Sequence, residues 1–293
     1  MSLQWPLSDA SRGPRNALNS AFETLFDHKP LEFDSLARLQ TTLAQRRPYL
    51  IYFTARSGSS YLADLLTNTG VTGRPGEYLN PQLLPRIMQG IQKRAPGQAD
   101  TLFGYIHWLL EHRSSANGAF GLKATYPHLK PLIATGLDRL LFGDFKRFVL
   151  TRRNIINQAI SLYTMTETKL SHRNKAIPEA ITAKAAKLAY DGERIRHWVS
   201  HLWHQELALE AYFAKSGLAV EVLDYDELTH DPDAVVGRIT DACGAERPST
   251  LRSEFAKVRG SRSNVLAAEF VADPKSRASL AKLGIPEARL TGE

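Results

Sequence analysis

Residues 51–62 read IYFTARSGSSYL, and three patterns follow one another inside them. Leu50-Ile51-Tyr52-Phe53 is an apolar run of the kind found in a strand buried on both faces. It gives way to the polar turn Arg56-Ser57-Gly58-Ser59-Ser60, after which Tyr61, Leu62, Leu65 and Leu66 recur at helical spacing. The expected order is strand, tight turn, helix. Such a turn gathers backbone N–H groups and hydroxyls at a helix N-terminus, where the dipole favours an anion, and phosphate is the natural guest. The turn lacks the G-x-x-x-x-G-K-[ST] pattern, whose lysine handles phosphates and whose hydroxyl holds magnesium.

The flanking sequence extends this unit in both directions. Leu36, Leu39 and Leu43 predict an amphipathic helix over 34–46 with Asp34 as its cap. Residues 1–30, broken by Gly13, Pro14 and Pro30, read as an irregular arm, and 31–293 as a single domain. The first strand is expected over 49–54, with its helix closing near Gly70. Two helices are expected over 81–113, the second starting near Asp100. Further strands are AFGLK (119–123), FKRFVLT (145–151) and LAVEVLDY (218–225). A helix is expected at about 154–168, and one or two long ones over 179–216. Asp231-Pro232 and Asp273-Pro274 each set a cap before a proline at the first helical position. Strands alternating with helices predict an α/β fold with a mostly parallel central sheet flanked by helices.

Composition narrows the classes. The chain has 293 residues, 43% hydrophobic and 23% charged, as in ordinary globular proteins. A single cysteine, Cys243, excludes an intramolecular disulfide framework and a multi-cysteine metal site; within an apolar helical pattern it reads as a small core residue. The first sixteen residues carry no basic-then-apolar signal pattern, and no apolar run nears the 18 or so residues of a membrane span. A soluble, cytoplasmic protein is the expectation. The net charge of +7 and pI near 9.5 favour anionic partners such as a nucleotide or an acidic glycan. No signature of nucleic-acid binding is present.

Three more features carry chemistry. In KRFVLTRRNIINQAISLY (146–163) a strand ends in Arg152-Arg153, and Ser161 follows nine residues after Arg152. A guanidinium and a hydroxyl can so converge on one anion, the arginine supplying a bidentate fork; Arg153 is the alternative at one residue's offset. In the turn Gly73-Arg74-Pro75-Gly76-Glu77-Tyr78, a carboxylate held in a rigid loop after the anion-binding helix can take a proton from an attacking hydroxyl. His197, His201 and His204 share spacings of four and three but lack a His-Glu-x-x-His pattern; a helix-face cluster fits them better than a metal site.

The stretch YLIYFTARSGSSYLADLLTNTGVTGRPGEYLN (49–80) resembles the start of the Stf0 family of bacterial sulfotransferases, with its Arg-Ser-Gly-Ser loop, Thr-Gly-Val-x-Gly turn and acid before an aromatic. Phe120-Gly121-Leu122-Lys123 resembles the family's strand ending in Gly-x-Lys. VLDYDELTHDP (222–232) resembles a Tyr-x-x-Leu-x-x-x-Pro element of sulfotransferases, and the basic stretch around Arg262-Ser263 resembles the segment completing the 3′-phosphate site. After Lys123 the chain carries Ala-Thr-Tyr-Pro-His where members often carry a Leu-Met-Trp-like run, which points to a different acceptor surface.

The resemblance implies a P-loop-like sulfotransferase fold and transfer of a sulfuryl group from 3′-phosphoadenosine 5′-phosphosulfate (PAPS), without a metal, to a hydroxyl of a carbohydrate or glycolipid. It implies that Arg56, Ser57, Gly58, Ser59, Ser60 and Tyr61 hold the 5′-phosphosulfate. It implies that Arg152, Ser161, Arg262 and Ser263 hold the 3′-phosphate, and that Glu77 is the general base. Arg56 would stabilise the leaving group and Lys123 the sulfuryl oxygens. His128 and Tyr126 are the next candidates for the base. A homodimer also follows from the likeness. Two other readings remain at this point: a metal-dependent P-loop-like kinase, and a non-catalytic nucleotide- or anion-binding module.

Overall fold

A computed structural model describes residues 33–169, 179–255 and 261–292. The arm expected over 1–30 lies outside them. In chain order the first elements are helix α1 (Phe33–Ala44), strand β1 (Arg47–Phe53), and helices α2 (Ser59–Thr69), α3 (Leu84–Gln92) and α4 (Leu102–Arg113). There follow β2 (Ala119–Ala124), α5 (Tyr126–Thr135), α6 (Leu137–Phe142), β3 (Lys146–Thr151), α7 (Ile155–Thr168), α8 (Glu179–Ala186) and α9 (Gly192–Ser216). The chain continues through β4 (Glu221–Asp224), α10 (Tyr225–His230), α11 (Pro232–Ala242), α12 (Ser261–Ala272), α13 (Pro274–Leu283) and α14 (Glu287–Thr291). The four strands form one all-parallel sheet in the order β2-β1-β3-β4, flanked by helices. Lys123 of β2 stands abreast of Ile51 of β1. Among the described residues no helix is long and apolar enough to cross a membrane.

The chain divides into two compact units. The first takes in the chain up to Tyr52, Thr69–Phe148 and Val236–Ser249; the second takes in Phe53–Asn68, Val149–Val235 and Thr250–Glu293. In the first, Tyr49 to Tyr52 are almost wholly buried, as the continuous apolar run requires. Tyr49 meets Phe148 edge-on, with centroids 6.4 Å apart, and Phe120 meets Phe145 at 6.2 Å. The Tyr49 hydroxyl reaches through this core to donate to the Thr72 carbonyl at 2.9 Å. Gly121 is required here, because a Cβ at this position would lie 2.5 Å from the Tyr49 hydroxyl and 2.7 Å from Pro75 Cβ. Cys243 is buried in this unit, where burial pushes its thiol up to about 12.

The second unit packs α7, α9, α12 and α13 around Ile155, Ile160, Ile195, Leu202, Phe270 and Leu280. The stretch 179–216 forms two helices, α8 and α9, and Asp191 caps α9, its side chain accepting from the Arg194 N–H. One sequence expectation shifts here. The strand expected over 218–225 is four residues long. Gly217, at φ +61°, closes α9, and Asp224 leaves the ladder to cap α10 by accepting from the N–H groups of Asp226 and Glu227. As the last strand in the order, β4 has one neighbour, and Leu223 is its only fully buried side chain.

Candidate active site

The polar turn after β1 folds as a strained cradle in the second unit. Arg56 sits at φ +66° and Gly58 at φ +91°. A left-handed conformation is ordinary for glycine and costly for arginine, so the turn is held by its surroundings. The Ser57 N–H donates to Thr54 O at 3.2 Å, and Leu62 N–H donates to Gly58 O at 3.0 Å as α2 begins. Gln158, fully buried on α7, donates to both Thr54 Oγ1 and Ala55 O at 2.8 Å. These bonds fix the two residues before the strained arginine.

Several side chains converge on this turn. Arg56 Nε donates to Ser161 Oγ at 3.1 Å, and its guanidinium also lies against the Met165 sulfur. Burial lowers the Arg56 pKa, but an arginine remains a cation under all ordinary conditions. Arg152 is 8% exposed, donates to Arg56 O at 3.3 Å, and lies over the Tyr225 ring with its central carbon 4.6 Å from the centroid. Tyr225 also backs Gly58, where a Cβ would lie 2.6 Å from the ring. Ser57 is wholly buried, and its hydroxyl has no hydrogen-bond partner. Leaving such a group unsatisfied costs about 1–3 kcal/mol. An anionic oxygen in the cradle would accept that hydroxyl, so the residues present fit a phosphosulfate.

The turn brings together Arg56, Ser57, Gly58, Arg152 and Ser161. Ser59 is buried at the start of α2, while Ser60 and Tyr61 are half-buried beside it. Arg153 turns away: its side chain is 52% exposed and pairs with Asp224 at 3.1 Å. Arg262 and Ser263 lie in the first turn of α12, where Arg262 donates to Leu188 O at 2.7 Å and approaches Glu269 at 3.4 Å. Among the described residues its hydrogen bonds and ion pair are with those groups.

The turn that carries Glu77 lies in the first unit. Gly73 adopts φ +72° with Ala119 O and Arg113 O close by, and Arg74 N–H donates to Arg113 O at 2.9 Å. Gly76 then pairs with β2: it forms a parallel bridge with Leu122, and Lys123 N–H donates to Gly76 O at 3.0 Å. The turn is thereby stitched onto the strand that carries the lysine, and Glu77 follows at once. Lys123 Nζ lies 3.1 Å from Glu77 Oε1, with the lysine side chain 8% exposed and the glutamate 22%. Asn80 Nδ2 donates to the other oxygen, Oε2, at 2.9 Å.

Electrostatics follow from that geometry. Burial alone would raise the Glu77 pKa. Lys123, the Asn80 amide and His128 together outweigh it and hold the carboxyl below its usual range. Burial lowers the Lys123 pKa, and the ion pair only partly restores it. His128 is buried at the start of α5, with Nδ1 accepting from Thr125 N–H at 3.4 Å. Burial lowers its pKa and Lys123 lowers it further, against the pull of Glu77. Tyr126 is half-buried two residues earlier.

Sequence reasoning gave no role to Tyr225, Gln158 or Asn80. Two of them carried a signal: Tyr225 opens the Tyr-x-x-Leu-x-x-x-Pro element, and Asn80 is a short amide side chain one turn after Glu77. The histidines of α9 lie elsewhere on an exposed face, where His201 meets Gln205 and His204 meets the Ser200 carbonyl.

The chain is 26% identical over 275 residues to the trehalose 2-sulfotransferase of Mycobacterium tuberculosis, covering 82% of this chain and 98% of that one. It is 23% identical over 232 residues to the enzyme of the same name from Mycolicibacterium smegmatis, covering 68% and 84%. Among solved structures, a sulfotransferase from Alicyclobacillus acidocaldarius aligns at a TM-score of 0.38 and 13% identity, covering 83% of this chain and 98% of that one. The sulfotransferase domain of the Synechococcus PCC 7002 olefin synthase aligns at 0.40 and 13%, covering 83% and 96%. The family model for Stf0 sulphotransferase matches residues 48–273. Strand, cradle and acidic turn all fall within that span: the chain belongs to the Stf0 sulphotransferase family.

Proposed function

We propose that this sulfotransferase moves a sulfuryl group from PAPS to a hydroxyl of a carbohydrate acceptor, with Glu77 as general base. The observation that carries the reading is the Ser57 hydroxyl, wholly buried and without a hydrogen-bond partner, in the turn that Arg152 meets at the Arg56 carbonyl. A buried hydroxyl of that kind fits an anionic oxygen as its acceptor. The trehalose 2-sulfotransferase relatives supply the acceptor class.

Each residue has a role that its surroundings support. Arg56 and the N-terminus of α2 hold the 5′-phosphosulfate and stabilise the charge that grows on the leaving group. Arg152, over the Tyr225 ring, and Ser161 hold the 3′-phosphate. When bound, the donor supplies the activated sulfuryl group. Lys123 would supply the cation for the sulfuryl oxygens. Glu77, ionised at neutral pH, would take the proton from the acceptor hydroxyl while the bond from sulfur to the donor's bridging phosphate oxygen gives way to one from the hydroxyl oxygen, with 3′-phosphoadenosine 5′-phosphate leaving.

The test is transfer of ³⁵S from labelled PAPS to trehalose and a panel of free and lipid-linked sugars, in parallel with Glu77→Gln. Labelled acceptor with the wild-type chain, and none with the variant, is the expected result. Full transfer by Glu77→Gln would remove Glu77 as the base. Transfer to no hydroxyl, alongside magnesium-dependent phosphoryl transfer from ATP, would replace the reading with a kinase.

A further inference from the structure

Glu77 is held at both oxygens by groups of different kinds. Lys123 reaches Oε1 from β2, and Asn80 reaches Oε2 from the turn that carries Glu77 itself. The amide orientation of Asn80 is fixed independently of the carboxylate. Asn80 Oδ1 accepts from Gln82 N–H at 3.0 Å, a backbone group that can only donate, so the Nδ2 protons are left to face Glu77. The backbone is fixed as well. Asn80 N–H donates to Glu77 O at 3.0 Å, while Asn80 O accepts from both Leu83 and Leu84 N–H at 2.9 Å, the entry into α3. Asn80 thus ties the orientation of the Glu77 carboxylate to the start of a helix.

We propose that Asn80 is a positioning residue for proton transfer: it orients Glu77 towards the acceptor hydroxyl and keeps it ionised when the Lys123 ammonium also serves the sulfuryl oxygens. This rests on the reading of Glu77 as the base. The charged and titratable groups facing Glu77 are Lys123 on β2 and His128 on α5. Neither is on the turn, so Asn80 is the partner that stays with Glu77 whatever those two do. A hydrogen bond donated to a carboxylate stabilises its charged form, and loss of orientation at a reacting atom lowers the chemical step more than binding.

The experiment follows the Glu77 side-chain carboxyl carbon by NMR in protein labelled with ¹³C-glutamate, the resonance being assigned by its absence in Glu77→Gln. Wild type, Asn80→Ala and Asn80→Asp are titrated, and turnover is measured on the same samples. Asn80→Asp keeps the acceptor for Gln82 N–H, so the turn persists even if the alanine variant folds poorly. Both variants should titrate Glu77 at higher pH than wild type, Asn80→Asp the more so because it adds a second carboxylate. Turnover should fall on the order of 10- to 100-fold in kcat, with KM for PAPS unchanged. A Glu77 midpoint in Asn80→Asp that matches wild type would overturn the proposal. The titration needs no turnover, so it separates from failure of the base reading, which shows as full activity in Glu77→Gln.

Discussion

Lys123 and Glu77 form an ion pair at 3.1 Å because Gly76, the residue before Glu77, is hydrogen-bonded as an added rung on the strand that carries Lys123. The pair is set by backbone pairing before any side chain chooses a rotamer. Both partners are largely out of water, so their attraction is screened less than at the surface.

The pair sets the pH dependence. Glu77 serves as a base only when ionised, and its pKa in the folded protein lies below the usual carboxylate value. Activity should be present above that value and fall as pH drops through the depressed pKa. Lys123→Met removes the cation while the burial that raises Glu77 remains, so the acid limb of kcat/KM should move to higher pH. The stability that Glu77 adds is present above its unfolded pKa and lost as pH falls through the folded one. Leaving the half-buried carboxylate unpaired in Lys123→Met should cost about 1–3 kcal/mol near neutral pH, read from urea unfolding. An acid limb that stays in place would separate the two residues.

Glu77→Gln keeps the shape of the side chain and loses the base. Turnover should drop by roughly 10²- to 10⁴-fold, the usual worth of a positioned general base. Affinity for 3′-phosphoadenosine 5′-phosphate, measured by calorimetry, should stay within about twofold, because the cradle is built from other residues.

The adjacent arginines should behave differently. Arg152 is buried against Tyr225, and Arg153 is half-exposed and paired with Asp224. Arg152→Ala should weaken the bisphosphate on the order of 100-fold, as expected for losing two charge-assisted hydrogen bonds. Arg153→Ala should leave it nearly unchanged, as for other exposed pairs. The reverse ranking would hand the 3′-phosphate to Arg153.

Gly58→Ala meets two obstacles at once. The new Cβ would lie 2.6 Å from Tyr225 Cδ2, at a backbone φ of +91°. The strain of about 1–3 kcal/mol should appear as a lowered melting temperature. Because Tyr225 also carries Arg152, bisphosphate affinity should fall with it. A variant of wild-type stability and affinity would mean that the turn can shift without harm.

The cradle was legible in sequence because its parts are local. An apolar strand, a Gly/Ser turn and a periodic helix all lie within residues 50–66, and glycine at 58 marks a conformation that other residues avoid. Glu77 was legible for the same reason, through its Gly/Pro-rich turn. Tyr225 was not. The run Leu218 to Tyr225 looks like a strand to its end, and the cap at Asp224 turns the ring towards Gly58 and Arg152 through contacts that span most of the chain. Gln158 was hidden likewise, since its role depends on Thr54 and Ala55, over a hundred residues earlier. Between Arg152 and Arg153, spacing gave no decision; packing against an aromatic ring distinguishes them.

The most direct measurement is a calorimetric titration of the wild-type chain with 3′-phosphoadenosine 5′-phosphate in the presence of a metal chelator, repeated with Ser57→Ala and Arg152→Ala. The account predicts one saturable site in the wild type, weakened in both variants. No binding by the wild type, together with magnesium-dependent binding of ATP, would contradict it.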